Sequence, residues 1–336
     1  MQLIEFTNKG LYVPPANVYI DPWKPVDHAF ITHGHADHSR YGMKKYVATH
    51  AAVPVIKHRL GSHNNISGLA YGEEMTVNGV KFSFHPAGHI IGSAQIRVEY
   101  KGEVWVASGD YKVEQDGISE PFEPVRCHTF ITESTFGLPV FKWQPQAEVI
   151  ADINDWWRQN KESGRVSILA AYSLGKAQRV INSVDASIGK IFTHGAVENV
   201  NEVLRAQGAP VAETTRVQQS LKYEDYQRGL VIAPPSAIDS SWSKKFKDYS
   251  SAVASGWMAM RGPRRRRSAD RGFVLSDHAD WDGLLSAIQA TEASRVFVTH
   301  GYSDIFSRYL TEIGYEAGEV KTEYTGDEAV IEKEEG

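Results

Sequence analysis

An α/β fold is predicted, on three observations. Short β-branched or aromatic runs alternate with helical patterns along most of the 336 residues. The chain is 42% apolar and 11% aromatic, ample for large packed cores, and its length is about two domains' worth. Residues suited to chemistry stand on both sides of a middle block, which points to an insertion inside one domain and not to two domains in series.

In chain order, candidate strands fall at residues 29–32, 80–84, 104–107, 130–133, 166–171, 191–193, 230–233, 273–276 and 296–299. The clearest helix follows Pro145, where Val149, Ile150, Ile153, Trp156 and Trp157 recur on one face and the proline suits the first turn. Val180, Ile181, Val184 and Ile188 suggest another helix, as do Ile305, Phe306, Tyr309, Leu310 and Ile313. A glycine and two prolines break the periodicity between Ser134 and Gln146, and a second break falls near Arg261 to Arg271. The expected division is a first domain part at 1–140, an inserted domain at 141–270 and a return segment at 271–336.

Net charge is −5, yet nine basic and only two acidic residues lie between Ser240 and Arg271. A basic stretch on an acidic protein suits contacts to phosphates, and a solvated loop is the other reading of such a run. From Glu316 onward eight acidic residues face two basic ones, which reads as a solvated tail. No apolar run approaches the ~20 residues of a membrane span, and the first ten residues lack the pattern of a signal peptide. The single cysteine, Cys127, cannot form an intramolecular disulfide, so a reducing, cytoplasmic location is expected.

Three histidines and an aspartate occupy six residues, His33-Gly34-His35-Ala36-Asp37-His38, directly after the strand at 29–32. On an extended turn His33 and His35 point one way and can share one ion, while Asp37 and His38 reach a second. Ligation by His and Asp without Cys suits Zn, and Mn or Fe would also be accepted.

This run resembles the HxHxDH signature of the metallo-β-lactamase fold, an αββα sandwich. The resemblance implies a further ligand at His89 (in Pro86-Ala87-Gly88-His89), a metal-bridging Asp110 (in Ser108-Gly109-Asp110-Tyr111) and a supporting aspartate at Asp21 (in Tyr19-Ile20-Asp21-Pro22). Beyond Asp110 the chain resembles the β-CASP nucleases, which carry an inserted α/β domain. Glu133 in Ile131-Thr132-Glu133-Ser134, His278 in Ser276-Asp277-His278-Ala279-Asp280 and His300 in Val298-Thr299-His300-Gly301 match that group's three added motifs. Residues 171–178 (AYSLGKAQ) resemble a further β-CASP segment. Phe192-Thr193-His194-Gly195 nearly copies the last motif, but order along the chain favours His300 and leaves His194 an ordinary turn histidine. Long runs at 11–15, 19–25, 254–267 and 271–281 resemble the bacterial ligase-associated DNA damage response exonucleases.

The function so implied is a dinuclear metal-dependent nuclease, a DNA exonuclease acting in repair with an ATP-dependent DNA ligase and a helicase. An RNA-processing ribonuclease is the alternative, and a catalytically silent nucleic-acid scaffold a more remote one. The implied ligands of the two divalent ions are His33, His35, Asp37, His38, His89, Asp110 and His300. His278 is expected to protonate the departing sugar oxygen, with Glu133 orienting it. Arg264, Arg265, Arg266 and Arg267 are expected to contact phosphates. Ser173 and Lys176 open a helical pattern where a phosphate could bind at a helix N-terminus.

Overall fold

Strand-forming runs before residue 135 and after residue 294 build two sheets in a computed structural model that describes residues 2–238, 240–260 and 269–324. The first sheet holds β1 (Glu5–Thr7), β2 (Gly10–Val13), β3 (Val18–Ile20), β4 (His28–Phe30), β5 (Lys45–Thr49) and β6 (Ile66–Leu69), in that order. The second runs β19 (Glu316–Glu319), β18 (Arg295–Gly301), β11 (Thr129–Ser134), β10 (Glu103–Ala107), β9 (Ala94–Tyr100), β8 (Val80–Pro86) and β7 (Glu74–Val77).

One apolar core joins the two sheets. Leu11, Ile20, Phe30 and Val47 of the first pack with Phe82, Phe84, Ile96 and Trp105 of the second, and the Phe30 and Phe82 rings stack at 4.4 Å. Each fully buried Phe of this kind contributes about 1.5–3 kcal/mol relative to exposure. Helix α1 (Val53–Leu60) adds Ile56 and Leu60 to the cluster formed by Ala29, Ile31 and Tyr46, covering the outer side of the first sheet. Counting helices along the whole chain, α6 (Trp281–Ala290) and α7 (Ser303–Glu312) cover the second sheet through Leu284, Ile288, Phe306 and Leu310. Helix, sheet, sheet and helix form the αββα sandwich that the resemblance implies.

Strand direction decides where the loops emerge. β11 is parallel to both β10 and β18. β9 is antiparallel to both β8 and β10, so β8, β10, β11 and β18 all run the same way. Their C-terminal ends therefore share one edge of the sheet.

The insertion is a separate α/β unit on a six-stranded, all-parallel sheet. Its order is β14 (Thr215–Arg216), β13 (Ile191–Thr193), β15 (Leu230–Ala233), β12 (Val166–Ala170), β16 (Tyr249–Ala254) and β17 (Arg271–Phe273). β12 and β15 are buried at every residue, which is why they read as unbroken apolar runs. Helices α2 (Gln146–Glu162) and α3 (Lys176–Ser183) lay Val149, Ile153, Trp157, Val180 and Ile181 on this sheet. The helices α4 (Gly195–Ala206) and α5 (Tyr223–Tyr226) complete the unit. Among the described residues no helix is long and apolar enough to cross a membrane.

The chain divides into one unit of Met1–Gln115, Ser119–Lys142 and His278–Gly336 and another of Asp116–Ile118 and Trp143–Asp277. Three elements differ from the sequence reading. The strand expected at 273–276 lies at Arg271–Phe273, where it pairs with β16; it stays with the insertion, so the return begins at His278 and not at 271. Beyond that strand Arg179 Nη1 donates to Ser276 O and Asp277 Oδ1. Helix α3 ends at Ser183: Val184 is extended, and Asp185 accepts from Ser187 N in a turn, so Val184 and Ile188 reach the core from outside the helix. The expected solvated tail starts instead as β19, which pairs with the edge of β18, and Val320 beyond it is buried.

Candidate metal centre

The C-terminal strand edge gathers the chemistry. His33 to His38 follow β4, His89 follows β8, Asp110 follows β10, Glu133 lies in β11 and His300 in β18. Two glycines make the approach possible. Gly109 has φ +57, and a Cβ there would meet the Thr32 side chain at 2.6 Å. Gly301 has φ +78, and a Cβ would come within 2.3 Å of Ser134 O. Between the Thr132–Val298 and Ser134–Gly301 pairs, Thr299 and His300 stand opposite Glu133 alone. That bulge turns His300 out of the regular alternation.

Asp21 orients the first ligands. It is buried at φ +41, uncommon for a non-glycine residue. Its carboxylate accepts hydrogen bonds from Thr32 N at 2.8 Å, from the Thr32 hydroxyl and from His38 Nδ1 at 2.8 Å. A carboxylate only accepts, so His38 carries its hydrogen on Nδ1 and offers a lone pair at Nε2. The Thr32 hydroxyl has given its hydrogen to Asp21 and therefore accepts from His33 Nδ1 at 3.0 Å, which leaves the lone pair of His33 on Nε2.

His33 Nε2 and His89 Nε2 stand 3.2 and 3.1 Å from His35 Nδ1. Nitrogens bound to one tetrahedral ion at about 2.0–2.1 Å lie about 3.3 Å apart, so the three converge as ligands of one centre do. Asp110 stands between this cluster and a second. Its Oδ2 is 3.5 Å from His33 Nε2 and 3.8 Å from His89 Nε2. Its Oδ1 is 3.5 Å from His38 Nε2 and 3.1 Å from His300 Nε2. Asp37 Oδ2 lies 3.9 Å from His38 Nε2. Asp110 Oδ1 and His38 Nε2 are both buried and make no hydrogen bond. Buried acceptors are seldom left so, and a cation lying among them satisfies both. The donor set, imidazole with carboxylate, fits a divalent transition metal.

Electrostatics point the same way. With no cation bound, burial works against charge on His38, but Asp110, Asp37 and Asp21 outweigh it and raise its pKa to about 10, so the ring would carry a second proton at Nε2, the position a metal ion would take over. Burial, followed by His38, pushes His33 well below the usual imidazole value against the pull of Asp110. Burial also opposes the Asp110 carboxylate, yet His38 and His300 hold it well below the carboxylate range. The pocket holds anionic oxygen that calls for positive charge.

Beside it, His278 Nδ1 donates to Glu133, 2.9 Å from Oε2 and 3.1 Å from Oε1. Glu133 also accepts from Tyr111 N at 2.7 Å and Thr135 Oγ1 at 2.5 Å. The His278 ring centre lies 4.6 Å from that of His89, and Asp110, Glu133 and His278 form a third cluster of close donor atoms.

Other expected residues are placed differently. His194 caps α4 in the inserted unit by accepting from Ala196 N. Lys176, expected at a phosphate, is buried, with Nζ 3.3 Å from Asp277 Oδ2 and packed over the Tyr172 ring: its charge is met within the unit. Ser173 contributes its carbonyl to Gln178 Nε2. Arg264, Arg265, Arg266 and Arg267 lie outside the described residues. Sequence reasoning missed two supports. Arg59, from the last turn of α1, donates to Gly34 O at 2.9 Å and Ser39 Oγ at 2.6 Å, bracing the histidine loop. Tyr324 stacks on the His38 ring at 4.4 Å with 13° between the planes. A lone arginine and a lone tyrosine carry no spacing signal; only the fold brings them in.

No family model matches the chain. It is 29% identical over 313 residues to a probable DNA ligase of Opitutus terrae, covering 92% of this chain and 30% of that protein. It is 24% identical over 304 residues to Endoribonuclease YSH1 of Kluyveromyces lactis, covering 74% and 40%. An RNase J-like protein of Methanocaldococcus jannaschii is 26% identical over 216 residues, 54% of this chain and 50% of that one. The chain thus spans from under a third to half of the length of these relatives. A solved structure of a protein of unknown function from Enterococcus faecalis shares the fold, with a TM-score of 0.57 at 13% identity over 82% of this chain and 76% of that one. The αββα sandwich with its inserted parallel α/β unit is consistent with the metallo-β-lactamase and β-CASP fold of the nuclease-named relatives. The names of these relatives point to the β-CASP metallo-β-lactamase nucleases.

Proposed function

We propose that the chain is a dinuclear metal-dependent phosphodiesterase and, within that class, a DNA exonuclease of DNA repair that works with an ATP-dependent DNA ligase and a helicase. The observation that carries the chemistry is Asp110, one carboxylate whose two oxygens face two separate groups of imidazole nitrogens. His33, His35 and His89 with Oδ2 would hold one ion; Asp37, His38 and His300 with Oδ1 the other. Zn suits this donor set best, with Mn or Fe as substitutes. Bound there, divalent ions supply a water deprotonated near neutral pH and neutralise charge on the nonbridging phosphate oxygens. Asp37 and Asp110 offset only part of the ions' charge, so the centre stays positive and attracts a phosphodiester. His278, as imidazolium, gives a proton to the departing sugar oxygen. Glu133 grips its Nδ1 and favours the charged form.

DNA as substrate is supported by the alignment of 92% of this chain with part of a protein named for DNA ligation. The same likeness supports the ligase partner; the helicase rests on the resemblance of residues 254–267 and 271–281 to the ligase-associated exonucleases, and a cytoplasmic location on the lone Cys127. The arginines from Arg264 to Arg267 would bind further phosphates, a role supported by their charge in the sequence. An RNA-processing reading is favoured by the names of the yeast and archaeal relatives. Matched end-labelled DNA and RNA oligonucleotides digested with added Zn or Mn decide between them. Mononucleotides released from DNA alone are the expected result. Preferred cleavage of RNA, or internal cuts, would overturn the DNA exonuclease reading, and binding without cleavage would make the protein a scaffold.

A further inference from the structure

We propose that Tyr324 is a positioning residue for the second metal cluster, the one built on His38. The inference rests on the dinuclear reading above. The chain that follows β19 is tied down at several points. Val320 N donates to Val298 O at 2.8 Å, Arg40 donates to Glu323 O, and Lys24 Nζ lies 3.6 Å from Glu323 Oε1. These anchors deliver Tyr324 to the face of His38, with its edge contacts to Trp23 at 5.4 Å and His300 at 5.7 Å. Its hydroxyl donates to Asp21 O at 3.0 Å.

Tyr324 therefore holds both halves of one device. Asp21 fixes His38 through Nδ1, with Thr32 Oγ1 3.5 Å away, but polar contacts at that one atom leave the ring able to rock about it. A phenol stacked on the imidazole fixes the plane, and plane and Nδ1 together determine where Nε2 aims. The bond to Asp21 O steadies the other partner, a residue in the uncommon left-handed region whose carboxylate must face inward. Partners that orient a metal ligand typically matter about 10- to 100-fold in metal affinity.

The test compares Tyr324→Ala and Tyr324→Phe in the full chain, with metal content and titration of chelator-stripped protein by Zn and by Co as readouts. The Ala variant is expected to bind one ion as wild type does and the other about 10- to 100-fold more weakly. The Phe variant keeps the stacked ring and loses only the hydroxyl, so its loss is smaller. Two ions held at wild-type affinity in Tyr324→Ala overturn the inference. A second readout is independent of the metals: exchange of the His38 Nδ1 proton, followed by NMR on stripped protein, should be faster in Tyr324→Ala. Unchanged exchange counts against the clamp. Wild-type protein that binds fewer than two ions sinks the dinuclear reading by itself, and the His38 exchange then still decides the role of Tyr324.

Discussion

Two histidines beside Asp110 have different partners, and the proposed function gives them different work. The Nδ1 proton of His278 is held by both oxygens of Glu133. His300 faces Asp110 Oδ1 at 3.1 Å, where a ligand to a shared ion would stand. His300→Ala is expected to lose metal as well as rate. His278→Ala should keep both ions and lose about 10²- to 10⁴-fold in rate, the usual contribution of general acid catalysis. The loss should shrink on a nitrophenyl phosphodiester, because a phenolate departs without a proton. Metal analysis and rates on DNA and on the ester check both variants; a metal site emptied by His278→Ala refutes the acid role.

At the level of elements, Glu198 shows a buried charge used to join α4 to its surroundings. It accepts from Thr193 and Thr214 hydroxyls and from Arg205 Nη1 at 2.8 Å, tying α4 to β13 and to the segment before β14. Burial alone would raise its pKa, but the hydrogen bonds from Thr193, Thr214 and Arg205 prevail and lower it. A depressed carboxyl contributes stability above its unfolded pKa of about 4.3, and that contribution fades as pH falls through the lower folded value. Glu198→Gln should therefore cost roughly 1–3 kcal/mol at neutral pH. The two unfolding curves should converge in acid, and a constant gap down to low pH would contradict the linkage. Elements of this kind differ in how far sequence exposes them. The buried strands β12 and β15 and the stripe on α2 were legible because apolar period is a local property. The histidine run was legible because its donors are crowded into six residues. The end of α3, the pairing of Lys176 with Asp277 and the stacking of Tyr324 on His38 depend on partners far along the chain, and no spacing encodes them.

For the whole molecule, the arginine run and the metal centre make separate demands. Replacing Arg264 to Arg267 by Ala should weaken DNA binding and flatten its salt dependence by up to about 0.9 in log-log slope for each duplex phosphate no longer neutralised, and an unchanged slope returns the run to a solvated role. Metal removal reaches deeper. The candidate ligands all belong to the first unit, whose cores around Phe30, Leu284 and Ile56 include none of the residues in the cores around Trp157 and Phe246 in the second. Ions that bind only folded protein stabilise it by about 4 kcal/mol at a thousand times their Kd. Stripping should therefore lower the melting of one unit and spare the other, because a domain with its own core can unfold on its own. Calorimetry of loaded and chelator-treated protein is expected to show one transition moved down by several degrees and one in place. A single transition that moves as a whole would mean that the inserted unit has no stability apart from the sandwich, and the separation of the cores would then be geometric only.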